Sequence, residues 1–159
     1  MQEPRTEAST DTPGATGQVV AIHVAPEAGA ETLAPDAVLL VAGKGIEGDR
    51  YFSRPAYRGV TLVSEEAVQS ACEGIGAPYR VGATRRNVTV RGLDVMTLLD
   101  REFRLGSARL RGTRPCEPCD LMETTVGTGA REALVRRAGI RCEVLEGGNA
   151  RVGDTVVPL

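Results

Sequence analysis

Apolar residues in this chain come in short runs, and glycine or proline closes nearly all of them. Val19-Val20-Ala21-Ile22-His23-Val24 stops before Pro26, and Val38-Leu39-Leu40-Val41-Ala42 stops at Gly43. Gly59-Val60-Thr61-Leu62-Val63 gives way to Ser64, and Asn87-Val88-Thr89-Val90-Arg91 to Gly92. Runs this short, with 19 Gly and 9 Pro in 159 residues, suit many brief strands joined by turns far better than a helical bundle. Aromatic residues make up only 3%, so Val, Leu, Ile and Ala must fill the core. The length predicts one domain.

Residues 1–17 are rich in Glu, Thr, Pro, Ala and Gly and lack any apolar period, which predicts a flexible tail, with order from Gln18 and a domain over 18–159. In the first strand Val20, Ile22 and Val24 share a face at period two. Glu102–Leu105 and Ala108–Arg111 read as strands around a Gly106-Ser107 turn, and residues 142–145 and 152–157 as a closing pair. Ser64 is a good N-cap for a short helix with Glu65 and Glu66 in its first turn and Gly74 at its end. A second helix is expected over 130–138. The sum is a mainly β barrel with a few short helices.

A formal net charge of −2 supplies no general field for nucleic acid or an acidic membrane surface, so neither is expected as a partner. No apolar run reaches membrane-spanning length, and the N-terminus lacks the basic-then-apolar signal pattern, so a cytoplasmic location with reduced cysteines is expected.

Three segments could carry chemistry. The first is Arg114-Pro115-Cys116-Glu117-Pro118-Cys119-Asp120. As half of a zinc site it lacks a second ligand pair, since Cys72, Cys142 and His23 stand alone. A redox pair of thioredoxin type would open a helix in a βαβ unit, which the pattern does not offer. Two readings remain open: structural cysteines, or a reactive thiol on a loop with arginines near, able to bind a soft metal or carry sulfur. The second segment is Thr84-Arg85-Arg86-Asn87, where adjacent arginines point to opposite faces if extended, so only one can enter a pocket. A guanidinium suits phosphate through its planar fork, and Asn87 can donate and accept along a pterin edge. The alternative is a solvated surface pair. The third is Gly45-Ile46-Glu47-Gly48-Asp49-Arg50, a dense glycine loop that should form no regular element. Its N–H groups can approach an anion while Asp49 fixes Arg50, or the Asp–Arg pair simply staples a tight turn. His23, the one histidine, reads as a surface or satisfied core residue.

Taken in order, GKGIEGDRYF at 43–52, TLVSEEA at 61–67, TRRNVTVRGLD at 84–94, FRLGSARLRGTRPCEPC at 103–119 and GGNARVGDTVV at 147–157 resemble the MOSC family, the molybdenum cofactor sulfurase C-terminal domain, in a small stand-alone form. The resemblance implies a barrel-type β fold, binding of a molybdenum–pterin cofactor (molybdopterin), and a cysteine that carries sulfur as a persulfide or ligates the metal. By position that cysteine is Cys119, with Cys116 a companion. Arg85 and Asn87 match the family's Arg-x-Asn at the pterin phosphate region, and Gly48, Asp49 and Arg50 its glycine-aspartate-arginine loop. Lys44 is the only lysine and lies in no pyridoxal-phosphate setting, so sulfur would come from a separate cysteine desulfurase and pass to a molybdoenzyme partner. An alternative implied by some relatives is a molybdenum-dependent reductase of N-hydroxylated compounds, fed by an electron-donor protein because the chain has too few cysteines for its own cluster. A third reading is a non-enzymatic barrel that binds an anion or a protein.

Overall fold

The computed structural model describes residues 15–159. The expected tail therefore falls, for residues 1–14, outside the described residues, and Gly17 already opens the first strand.

Seven strands close a barrel: β1 (Gly17–Ile22), β10 (Thr155–Pro158), β6 (Glu102–Leu105), β7 (Ala108–Pro115), β8 (Ile140–Glu146), β4 (Val60–Ser64) and β5 (Val88–Arg91), in that spatial order, with β5 returning to β1. A separate three-stranded sheet is ordered β3 (Gly45–Ile46), β2 (Ala37–Val41), β9 (Gly148–Arg151). The barrel interior is aliphatic, with Val19, Ile22, Leu62, Leu110 and Ile140 around Phe103, all essentially free of solvent contact. All strand pairs are antiparallel except β4–β5. That parallel pair needs a crossover, which the helix α1 (Glu65–Ile75) supplies. A second apolar cluster joins Val63, Val68, Ala71 and Cys72 to Met122, Val126 and Leu134, packing α1 against α2 (Leu121–Thr125) and α3 (Ala130–Ala133). Among the described residues no helix is long and apolar enough to cross a membrane.

Several expectations change in detail. The register of β1 against β5 shifts between Val19 and Ala21, so Val19 and Ile22 enter the core while Val20 is only half-buried. A bulge of this kind breaks strict alternation. Gly45–Ile46, expected to be irregular, pairs with Leu40 and Val41. Ser64 precedes α1, but its hydroxyl does not cap it: it donates to the Leu93 carbonyl and accepts from the Val95 N–H. Helix α1 runs past Gly74 to a left-handed Gly76. The helix expected over 130–138 shrinks to α3, and α2 was not anticipated. The last three strands do not pair with one another: β8 lies between β7 and β4, β9 joins the small sheet, and β10 lies between β1 and β6.

Candidate functional site

Strand β7 ends at Pro115, and the segment Cys116–Cys119 then runs without helix or turn. Pro118 keeps Glu117 out of the helical region, so the loop stays extended until the Cys119 carbonyl accepts from Met122 N–H at 3.0 Å and α2 begins. Cys116 is buried, its N–H bonded to the Gly139 carbonyl at 2.8 Å, whereas Cys119 is exposed. All four cysteines are free thiols.

Arg86 lies beneath this loop and is 8% exposed. Its Nε donates to the Ala138 carbonyl at 2.8 Å, and Nη2 to the carbonyls of Cys116 and Glu117 at 3.4 and 3.1 Å. Burial pulls its pKa down, while the Cys116 and Cys119 sulfurs act to hold it up. The guanidinium thus grips the main chain of the cysteine loop and carries a positive charge under both sulfurs.

Arg86 and Arg85 both line the cleft that holds Cys119, against the expectation that only one of them could enter a pocket. Arg85 sits at φ 65°, so the pair is not extended as that expectation assumed. Its side chain lines a cleft shared with Cys119, and its carbonyl accepts from Arg50 Nη2 at 3.1 Å. Asp49 is buried, and its Oδ1 accepts from Ala25 N–H at 3.0 Å and from Arg50 Nη1 at 3.1 Å, while Oδ2 accepts from Tyr51 N–H at 3.2 Å. One carboxylate therefore sets both the loop and the direction of Arg50. Gly48 is exposed at φ 89° and takes no part in the cleft lining.

Asn87 occupies a different place from the one the pterin-edge expectation gave it. It is fully buried, its Oδ1 accepts from the Thr61 N–H and hydroxyl, and its Nδ2 donates to the His23 carbonyl. Its amide is spent within the barrel wall, joining β1, β4 and β5. His23 is buried, its Nδ1 has no hydrogen-bond partner, and desolvation lowers its pKa below 6.5. A methyl group on Gly82 would come within 2.3 Å of the imidazole Nε2, so only glycine fits there.

The cleft has a volume of ≈ 190 Å³, and Arg50, Tyr51, Arg85, Arg86, Cys119, Met122 and Thr125 are among the residues that line it. The Tyr51 ring is surrounded by guanidiniums, with Arg50, Arg141 and Arg58 at 4.5, 5.3 and 5.7 Å from its centroid. Arg141 Nη1 is buried with no hydrogen-bond acceptor, and the electron-rich face of Tyr51 is its nearest compensation. Arg58, Arg85, Arg86 and Arg141 have no carboxylate within 4.0 Å among the described residues, whereas Arg50 beside them is paired with Asp49. Sequence reasoning named Arg86 only as one of an adjacent pair and missed Tyr51, Arg58 and Arg141. Arg86 and Tyr51 each adjoin a residue that had been singled out. Arg141, alone on β8, gave no signal.

No group of three or more His, Cys, Asp or Glu side chains among the described residues could hold a bare metal ion. An exposed soft thiol beside an arginine-lined cleft instead fits a metal carried within an anionic organic ligand, with one protein sulfur at the metal end.

Residues 48–157 match the family described as MOSC domain. Among solved structures, the YUAD protein from Bacillus subtilis is similar at a TM-score of 0.72 with 19% identity, covering 89% of this chain and 94% of that one. YiiM from Geobacillus stearothermophilus gives 0.68 with 18% identity over 90% and 75% of the two chains. YiiM from Escherichia coli gives 0.66 with 15% identity over 89% and 69%. No curated protein gives a significant match. These likenesses carry the barrel fold. With the family match spanning most of the length and holding both the cysteine loop and its arginine support, the chain belongs to the MOSC domain family.

Proposed function

We propose that this protein binds the molybdenum–pterin cofactor in the Cys119 cleft and acts as a sulfur carrier or transferase, with Cys119 as the atom of exchange. The observation that supports this reading best is the contrast within one loop. Cys116 is buried and held by its main chain, while Cys119, three residues on, is exposed beside Arg85 over a cleft lined by guanidiniums. The bound group would supply a soft metal able to accept sulfur. Everything else falls to side chains of this chain. Arg85 offers a forked donor to a phosphate, Asp49 and the Arg85 carbonyl fix the Arg50 guanidinium beside it, and Arg86 keeps the loop from swinging away.

In the carrier step, the Cys119 thiolate attacks the terminal sulfur of a persulfide on a separate desulfurase. The donor's S–S bond breaks, a new one forms at Cys119, and the donor cysteine leaves as thiolate. Its exposure lets a partner reach it. Incubation with a cysteine desulfurase and cysteine should add one sulfur to the intact protein, mapped to Cys119 by mass spectrometry and absent in Cys119→Ser. An equal gain in Cys119→Ser would overturn the carrier role. Molybdenum analysis of protein from a cofactor-sufficient host tests the other half. Stoichiometric metal with no sulfur uptake would instead favour a reductase of N-hydroxylated compounds, in which Cys119 is a fixed ligand and a separate protein delivers electrons.

A further inference from the structure

Three buried side-chain nitrogen or oxygen atoms among the described residues have no hydrogen-bond partner: His23 Nδ1, Arg141 Nη1 and Thr125 Oγ1. A polar atom shut away from water without a partner is costly, so each one calls for a reason. Of the three residues, only Thr125 lines the Cys119 cleft. Other threonines of the fold are already engaged. The Thr61 hydroxyl donates to Asn87, that of Thr113 meets the Tyr57 and Arg141 carbonyls, and that of Thr84 accepts from the Arg86 N–H.

Thr125 closes α2, and Cys119 stands just before the same helix begins. Cys119, Met122 and Thr125 all line the cleft, at the three-residue spacing that keeps side chains on one helix face. A helical threonine ordinarily turns its hydroxyl back to the carbonyl four residues before it. Here the Leu121 carbonyl receives nothing from it. Nor can the main chain drift to find another partner. The Thr125 carbonyl accepts from Arg80 Nη2, and the N–H groups of Val126 and Gly127 both close on the Met122 carbonyl. A hydroxyl without a partner is therefore held in place at the cleft.

We propose that Thr125 is a specificity-determining residue of the cleft, its hydroxyl donating to an oxygen of the same anionic group that Arg85 receives. This rests on the reading of the Cys119 cleft as an anionic-cofactor site, and it supplies the neutral donor that accompanies the cation there. Rotation between the two side-chain wells open to a helical threonine brings the hydroxyl from its enclosed position to the cleft. At ≈ 190 Å³ the cleft is small, so one phosphate-sized anion meets several of its lining residues at once. A donor that has no partner to give up adds more to binding than one that must first break a bond. A ligand with an apolar group at that point is disfavoured, because the hydroxyl then stays unpaired.

Calorimetric titration of the full chain with inorganic phosphate, at about 0.15 M salt to screen remote charge, tests this alongside urea unfolding of the same samples. Thr125→Val keeps the shape and removes the hydroxyl. It should bind phosphate about tenfold more weakly than the wild type. Its urea midpoint should hold or rise, because an unpaired buried hydroxyl has been removed. Thr125→Ser keeps the hydroxyl and should bind phosphate within about twofold of the wild type. Wild-type affinity in Thr125→Val, or a serine variant as weak as the valine one, overturns the assignment and leaves the anionic-cofactor reading standing. A urea midpoint that falls in Thr125→Val means that the hydroxyl is paired within the fold, and overturns the assignment equally. Failure of the wild type to bind phosphate overturns the anionic-cofactor reading together with it.

Discussion

Arg86 is a charged side chain in a dry place with no carboxylate beside it, held by three main-chain carbonyls. Removing it strands those carbonyls, at a cost of about 1–3 kcal/mol for each that water does not reach. Arg86→Met should therefore lower the unfolding free energy by about 3 kcal/mol in urea titrations. A loss below about 1 kcal/mol would mean that the loop rehydrates and that Arg86 is not its anchor. His23 makes the opposite kind of demand. Its folded pKa is lowered by burial, so below about pH 6.5 the unfolded chain binds a proton that the folded chain resists. Stability then falls as pH falls through that range and is flat above it. The urea midpoint of the wild type should drop between about pH 7 and pH 5.5, and in His23→Gln that slope should vanish. Glu123 and Glu146, whose pKa values are already held low by their hydrogen bonds, titrate further down and do not confuse the window. At this scale the sequence predicted that only one arginine of the Arg85-Arg86 pair would enter a pocket, whereas both line the Cys119 cleft. The expectation assumed an extended pair, and the positive φ of Arg85 is a tertiary property that no local pattern encodes.

Among the elements, α1 separates what composition can say from what it cannot. The apolar stripe of Val68, Ala71 and Cys72 and the acidic first turn were legible. The stop was not, because Gly74 and Gly76 are both plausible ends on composition, and only the chain path chooses. Gly76 adopts φ 71° and its N–H closes on the Cys72 and Glu73 carbonyls, as a helix-ending glycine does. Gly74 is an ordinary helical residue with no atom within 4 Å of an added methyl. Gly74→Ala should thus raise stability by about 0.5–1 kcal/mol and Gly76→Ala lower it by about 1 kcal/mol, read from paired urea titrations. Equal effects at the two positions would contradict the helix end described. Helix α2 escaped notice for a related reason: five residues hold too little periodicity to register, and its place is set by the Cys119 carbonyl and by Met122 entering the second core.

For the whole molecule, the number and brevity of the strands were visible, but their partners were not. Strand pairing in a closed barrel is decided by which edges remain after the others have paired, and β8, β9 and β10 disperse to five different neighbours, β7 and β4, β2, and β1 and β6. Closure through β10 has a direct consequence. Deleting residues 155–159 would expose the facing edges of β1 and β6 and open the barrel. The shortened chain should lose its sharp thermal transition and show a broad one with dye-binding apolar surface, and a retained sharp transition would show that β10 is dispensable. The hold of Arg86 on the cysteine loop carries a different consequence. It takes the backbone of Cys116 and Glu117 and ignores their side chains, so the reach of Cys119 does not depend on which groups surround it. A substitution at Glu117 can therefore change what surrounds the sulfur while leaving the main-chain hold on the loop in place.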